Sequence, residues 1–317
     1  IPLCLVGSEM CIRDSSVVFT DQPDHTRIRK IFQHAFTPRA LAHIENNVEQ
    51  LVQSYIDEMK EKKDIEFVRD FSFRLPVDVV CDILGVPKED RKLIRDWARL
   101  ILGALEPTLS EEQFKSGCSA VLNFKNYLKD QVNLRKKNPH LSRDGEIIST
   151  LIDAQSSGIE LSEVELLHQC IFMLNAGHET STNMLSHGMC EFINNKDQLD
   201  LLRNDETLIS SAIEEILRYH PPIQVNNRRN KKDTILENKK IPKGTSVHMI
   251  IAAANRDPKQ FNNPDKFIVS RKPNKHLSFG LGIHICAGNT LARIEGRVAF
   301  LKLIRSFKDF NLSLIHI

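Results

Sequence analysis

Apolar residues recur at three- and four-residue steps through most of the chain. Leu41, Ile44, Val48, Leu51, Val52, Tyr55, Ile56 and Met59 form one stripe, which predicts a helix reaching about Lys60. Thr37 suits its N-cap and Pro38 its first helical position. The same period predicts helices over residues 71–84, 88–105, 111–136 and 145–155, the first stopped by Gly85 and Pro87. Ser162 and Glu165 make a capping box, and the helix it opens runs to about Asn194. That helix is apolar on most sides around Ile171, Phe172, Met173 and Leu174, so burial is expected. Another helix spans residues 206–220 and ends at Pro221-Pro222. Short β-like pieces follow at residues 223–226, 234–236 and 246–250, separated by turn residues such as Pro242-Lys243-Gly244. Residues 255–275 are rich in Asn, Asp, Pro and Lys without any period, which predicts a long ordered loop. A last helix starts near Ala287 and reaches about Phe307. The pattern predicts one mainly α domain with minor β over residues 16–311.

Composition narrows the function classes. With 41% apolar and 26% charged residues in 317, the chain can bury a large core. A net charge of +2 gives no overall footprint for nucleic acid or an acidic membrane surface. The longest apolar run in the chain body, Met249 to Ala254, is far short of the ~20 residues that a membrane span needs. The seven cysteines are odd in number, widely spaced and lack a CxxC pair, which argues against a disulfide framework or a structural zinc site. Cys81, Cys170 and Cys190 lie in apolar helical patterns and read as small core residues, and a reducing cytoplasm fits. The two ends differ from the body. Residues 1–15 and 312–317 show neither helix period nor strand alternation, and CLVGSEMCIRDS resembles translated sequencing-adapter sequence. Both ends are expected to be non-native segments on a fragment.

The most informative stretch is Phe279-Gly280-Leu281-Gly282-Ile283-His284-Ile285-Cys286-Ala287-Gly288. Two glycines spaced by one permit a tight turn with positive φ. A single cysteine follows, with a helix predicted right behind it, where free N–H groups favour a thiolate. Gly288 removes bulk where a flat ligand could lie. An exposed sulfur, N–H donors and a flat approach are what a thiolate ligand to haem iron requires. Three other readings compete. A dinucleotide fingerprint fails because Ile285 stands at the third glycine. A plain loop with a buried cysteine would suffice for Cys286 taken alone. A Cys286–His284 nucleophile and base are two residues apart, which is poor geometry.

FGLGIHICAG resembles the haem-binding loop of the cytochrome P450 family at every fixed position of FGxGxHxCxG. The resemblance implies a P450 fold, haem b, and Cys286 as its axial thiolate. It also implies that Phe279 packs beside the sulfur, that Gly280 shapes the turn, and that His284 reaches a propionate. Other segments follow in the family's order. Glu215 and Arg218 form ExxR, which alone reads as a surface ion pair. By resemblance it is a buried structural pair that anchors the loop behind the haem. The family often has an arginine in the segment matching residues 264–267, where this chain has Lys266. Ala176-Gly177-His178-Glu179-Thr180 interrupts the long helix; His178 reads as a surface-facing position, and Thr182 denies an HExxH zinc motif. The segment resembles AGxET, which implies that Glu179 and Thr180 relay protons on the oxygen side of the haem and that Gly177 opens room there. His25 and Arg29, four apart, and Arg228 resemble the family's propionate-binding residues.

The resemblance covers about residues 17–310, without the family's N-terminal β-rich part and C-terminal hairpin. It implies a bacterial-type haem-thiolate monooxygenase, acting on a small organic substrate with O2. Electrons are expected from a separate ferredoxin or flavodoxin, since no flavin or iron–sulfur pattern is present. Alternatives are a peroxide-driven peroxygenase and a haem-binding fragment without activity.

Overall fold

The computed structural model describes residues 16–36, 38–104, 109–142, 146–156 and 162–312. Its helices are α1 (Asp24–Ala35), α2 (Pro38–Lys60), α3 (Arg74–Leu84), α4 (Arg91–Gly103), α5 (Glu111–Lys137) and α6 (Ile147–Ser156). They continue as α7 (Glu163–Asn194), α8 (Lys196–Asn204), α9 (Ile209–Tyr219), α10 (Ile251–Ala254) and α11 (Asn289–Ser306). Strands β1 (Val225–Arg229) and β4 (Ser246–Ile250) pair antiparallel, as do β2 (Thr234–Leu236) and β3 (Lys239–Ile241), in two separate sheets. The mainly α fold with minor β expected from the periodicity is therefore present. The Thr37 cap, the helix end at Leu105, the helix start at Gly145 and the end segments 1–15 and 313–317 lie outside the described residues.

Local chemistry accounts for the boundaries. Gly85 ends α3 at φ 82°, its N–H on the Asp82 carbonyl and that of Val86 on the Cys81 carbonyl. Ser162 and Glu165 cap α7 reciprocally, at 2.8 and 3.1 Å. Two predicted helices open with a 3-10 turn, at Lys88–Asp90 and Glu206–Leu208. Helix α8 was not legible in the apolar pattern; it begins after Asn195, whose side chain bonds back to Glu191.

The chain divides into two compact units. The first holds the residues up to Thr182 together with Ala287–Lys302. Here α2 and α3 pack through Tyr55, whose ring meets Phe71 edge-on at 6.3 Å and whose hydroxyl donates to buried Asp78. Helices α4 and α5 approach closely: a Cβ at Gly117 would stand 2.2 Å from Ala104 Cβ, so only glycine fits. Arg135 of α5 reaches Glu146 at 3.3 Å and the Gly85 carbonyl at 2.6 Å, which fixes the end of α3. The first half of α7 is buried at Leu167, Cys170, Ile171 and Leu174, whereas Phe172 and Met173, also expected inside, are half-buried. The second unit comprises Asn183–Cys286 and the residues from Leu303 onward. Its core joins Leu185 and Phe192 of α7 to Ala212, Ile213 and Ile216 of α9, with Phe267 edge-on to Phe192 at 5.9 Å.

Candidate active site

The second unit is organised by charges that see no water. Glu215 and Arg218 of α9 are both 0% exposed. One turn apart on a helix, their side chains meet in a two-pronged pair, with Nε and Nη2 of Arg218 each 2.8 Å from a Glu215 oxygen. Arg271 adds a third charge, its Nε 2.9 Å from the same carboxylate. The Ile268 N–H at 2.8 Å and Asn274 at 3.1 Å fill the remaining acceptor sites of Glu215. Two arginines against one carboxylate leave an excess positive charge, and backbone carbonyls offset it. Arg218 donates to the carbonyls of Asn255, Pro264 and Lys266, and Arg271 to those of Asn262, Asn263 and Lys266. The aperiodic loop over residues 255–275 is thereby wound around one buried cluster.

Lys266 therefore is not the third charged member. Only its carbonyl takes part, and its side chain is exposed. Arg271 holds that place, four residues beyond the segment that the sequence comparison pointed to. The available signal was burial: Phe267 and Val269 are core residues inside a polar stretch, marking a turn that folds inward next to Arg271.

The cluster extends toward the cysteine loop. Asn255, wholly buried, accepts from the Leu277 N–H at 2.8 Å and donates to Ser278 Oγ at 3.0 Å. Ser278 Oγ in turn donates to the Leu217 carbonyl at 2.6 Å, and His276 lies 3.0 Å from Glu214. Residues 276–278 are thus tied to α9 on two sides, immediately before Phe279. Asn255, Asn274, His276 and Ser278 were not singled out in the sequence, because isolated polar residues in a loop carry no pattern.

Gly280 and Gly282 then adopt φ 70° and 79°, the left-handed region that favours glycine. The turn brings the Cys286 N–H to the Phe279 carbonyl at 2.8 Å and the Ile285 N–H to the Gly282 carbonyl at 3.0 Å. The Cys286 thiol is exposed, whereas Cys81 and Cys170 are buried and burial pushes the Cys170 thiol up to about 12. Cys190, expected in the core, is part-exposed. Around Cys286 the loop displays aliphatic side chains rather than burying them: Leu281 is 80% exposed, and Ile283 and Ile285 are also exposed. His284 is half-buried, and Arg228 on β1 is exposed, donating to the Asn227 carbonyl at 2.8 Å.

In the first unit, the AGHET segment of α7 has two contrasting faces. Gly177 and His178 point into the packing. A Cβ at Gly177 would lie 2.8 Å from Val80 Cγ2 of α3, so helix approach itself requires glycine there. His178 is 1% exposed, against the surface-facing reading of its sequence, and its ring meets Phe73 edge-on at 4.3 Å. Desolvation lowers its pKa to about 4, so it is neutral at neutral pH. On the other face, Ala176 and Glu179 are exposed, and the Thr180 hydroxyl donates 2.7 Å back to the Ala176 carbonyl. Next to Thr180, Ser181 donates to Glu295 of α11, a buried carboxyl whose pKa desolvation raises to about 7. His25 on α1 is buried and its pKa lowered, by desolvation first and by Arg29 second; Arg29 is half-buried. Gly288, before α11, has open space: a Cβ there would meet no atom within 4 Å.

A helical fold that presents an exposed cysteine on a glycine turn, the one exposed cysteine among the described residues, suits a thiolate ligand to haem iron. The comparisons name the family. A model of the family described as Cytochrome P450 matches residues 7–311. Cytochrome P450 CYP107DY1 of Priestia megaterium is 35% identical over 94% of this chain and 71% of its own length. The biotin biosynthesis cytochrome P450 of Bacillus subtilis is 34% identical over 95% of this chain and 75% of its own. The structure of P450BioI in complex with an acyl carrier protein ligated to hexadec-9Z-enoic acid aligns with a TM-score of 0.89 at 34% identity, covering 96% of this chain and 79% of that one. The chain belongs to the cytochrome P450 family. It is a haem-thiolate monooxygenase, an oxidoreductase whose cofactor is haem bound to a cysteine thiolate through its iron. No helix among the described residues is long and apolar enough to cross a membrane.

The residues present fit that group. Gly288 is not demanded by any protein neighbour, but a flat group against it would demand it. The exposed aliphatics of the cysteine loop offer an apolar macrocycle a matching surface.

Arg271→Ala leaves Arg218 as the one charged partner of Glu215 and removes three bonds to loop carbonyls, so a loss of about 3–5 kcal/mol is expected in chemical denaturation. Lys266→Ala should lie within about 0.5 kcal/mol of the parent, because only its backbone is used. Equal effects of the two substitutions would contradict the assignment. Glu295 gives a pH prediction. Unfolded, it ionises near 4.5; folded, near 7, so its burial costs stability progressively as pH rises through that window. Glu295→Gln removes the ionisation, and its stability relative to the parent should rise by up to about 3 kcal/mol between pH 5 and pH 8. A flat difference across that range would show that the carboxyl is not buried as described.

Proposed function

We propose that Cys286 is the axial thiolate, and that the AGHET face of α7 handles the protons of the reaction. The observation that carries the reading is the Cys286 turn: an exposed thiol whose own N–H is tied to the Phe279 carbonyl at 2.8 Å across two left-handed glycines. That bond holds the cysteine backbone rigid and leaves its sulfur outward. The bound haem supplies the redox chemistry by which one atom of dioxygen enters an organic substrate and the other leaves as water.

The protein's own tasks follow from its side chains. His25, Arg29, Arg228 and His284 are the propionate partners in this reading; charge-assisted bonds from such groups suit carboxylates, and Arg228 lies exposed on β1 with Nη1 on a backbone carbonyl that it can exchange. Phe279 shields the sulfur side, while Gly280 and Gly288 keep the approach flat. Glu179 is open to solvent and can take up a proton there. Thr180 holds its hydroxyl proton against the Ala176 carbonyl, which leaves the oxygen lone pairs free to accept from an ordered water. Rotating Oγ1 away from Ala176 turns that same proton outward. Adjacent helical positions do not share a face, so Glu179 can serve solvent while Thr180 serves the reacting oxygen. Gly177, packed on Val80 one turn before Thr180, keeps this stretch of α7 seated. Electrons come from a separate ferredoxin or flavodoxin in the cytoplasm, and the substrate is a small organic molecule.

Cys286→Ser should abolish the red-shifted ferrous–CO absorption of thiolate ligation, and Cys170→Ser, at a buried site, should keep it. An unchanged band in the Cys286 variant would rule out the ligand assignment. Thr180→Ala, assayed with a surrogate ferredoxin and reductase, should consume reductant and dioxygen at near-parent rates yet release mostly peroxide. Parent-like coupling of reductant to product would leave Thr180 with a packing role alone.

A further inference from the structure

The β2–β3 hairpin carries the largest exposed aliphatics of the second unit outside the cysteine loop. Ile235 is 74% and Leu236 61% exposed. Consecutive strand residues point to opposite faces, so the tip is apolar on both sides. The register places Lys240 opposite Ile235 and Lys239 opposite Leu236, and directly paired residues share a face. Each face of the tip therefore joins one aliphatic to one lysine. The turn between the strands has Glu237 and Asn238 both at positive φ, 45° and 64°, the tight two-residue form that follows strand twist. Around the hairpin the charge is one-sided: Lys231, Lys232, Lys239, Lys240 and Lys243 stand against Asp233 and Glu237, although the whole chain carries only +2. Lys240 meets Asp233 at 3.2 Å, an exposed pair of the kind that contributes little and exchanges readily.

We propose that this hairpin is a peripheral docking element for an anionic phospholipid surface. Two features favour lipid over a protein partner. A flat protein surface covers one face of a two-stranded ribbon and leaves the other aliphatic wet, whereas insertion of the tip among headgroups takes both out of water. The paired lysines then extend their stems along the apolar tip and bring their ammonium groups to phosphate level. With two aliphatics and a handful of lysines, binding is weak and reversible, comparable to a single-signal anchor. Docking at this site would bring the enzyme to apolar substrates dissolved in the bilayer.

The test is sedimentation of the full-length chain, loaded with haem, with sucrose-filled vesicles. Phosphatidylcholine alone is compared with a mixture containing phosphatidylglycerol, at 0.05 and 0.5 M salt. Binding is expected to the anionic vesicles alone and to fall steeply at the higher salt. Lys239→Glu/Lys240→Glu should lower the partition coefficient by about tenfold or more. Ile235→Ser/Leu236→Ser should lower it about as much without changing charge. Lys115→Glu, an exposed lysine of α5 ion-paired to Glu111, should leave it unchanged. Since Ile235 is exposed, Ile235→Ser alone should keep the parent's absorption spectrum and circular dichroism, which separates lost docking from lost fold. The proposal is overturned by absence of binding to anionic vesicles at low salt, by equal binding to neutral ones, or by hairpin variants that bind like the parent. Saturable binding of an acidic protein at the hairpin with no vesicle binding overturns it too.

Discussion

The Glu215 carboxylate, buried from solvent between two arginines, is the constraint on which the second unit depends. Burying one ion pair is rarely stabilising in itself, because desolvation offsets the attraction. Here the arrangement is saturated: every acceptor site of Glu215 is used by Arg218, Arg271, Ile268 N–H or Asn274, and the arginines spend their other donors on loop carbonyls. A loop of some twenty residues with no strand or helix partner would leave those carbonyls unsatisfied in the interior. The cluster gives them donors, and so specifies one path for the chain.

That path ends at the cysteine turn. Asn255 transmits the order of the cluster to Leu277 and Ser278, and two left-handed glycines then aim the thiol outward. An exposed sulfur on a rigid backbone is an uncommon combination, since mobility usually accompanies exposure. It arises because the support comes from beneath the loop, through α9, and leaves the outer surface of the loop free for a ligand. The helix that bears Thr180 is built on the same division of labour. There Gly177 and His178 pack against Val80 and Phe73, while Glu179 stays exposed.

Net charge proved a poor guide to local fields. A total of +2 conceals a hairpin where lysines outnumber acids and a buried cluster with two cations to one anion. In the hairpin the excess is solvated and available to a partner; in the cluster it is neutralised by carbonyl dipoles and has no external reach. The frame shared with relatives such as the biotin biosynthesis cytochrome P450 goes with the reaction type and the cofactor, and a shared fold does not by itself fix a substrate.

The sequence by itself determined the helices, since amphipathic periodicity is local: α2, α3, α5, α7 and α11 fall where their stripes predict, and the capping box at Ser162 marks the start of α7. It also determined the cysteine turn, because Gly280 and Gly282 admit the left-handed backbone that other residues resist. What depends on residues far apart in the chain was decided by tertiary structure. Arg271 reaches Glu215 across 56 positions, and the apolar Phe267 and Val269 beside it mark only that the chain turns inward there, not which cation pairs. His178 is polar by type yet buried, because the face of α7 that meets α3 is chosen by Val80 and Phe73 and not by its own neighbours. Likewise the exposure of Ile235 and Leu236, apolar residues that a pattern would assign to a core, follows from a two-stranded sheet with nothing in the described chain packed on its tip. Local patterns encode conformation, whereas burial is a property of what else the fold brings near.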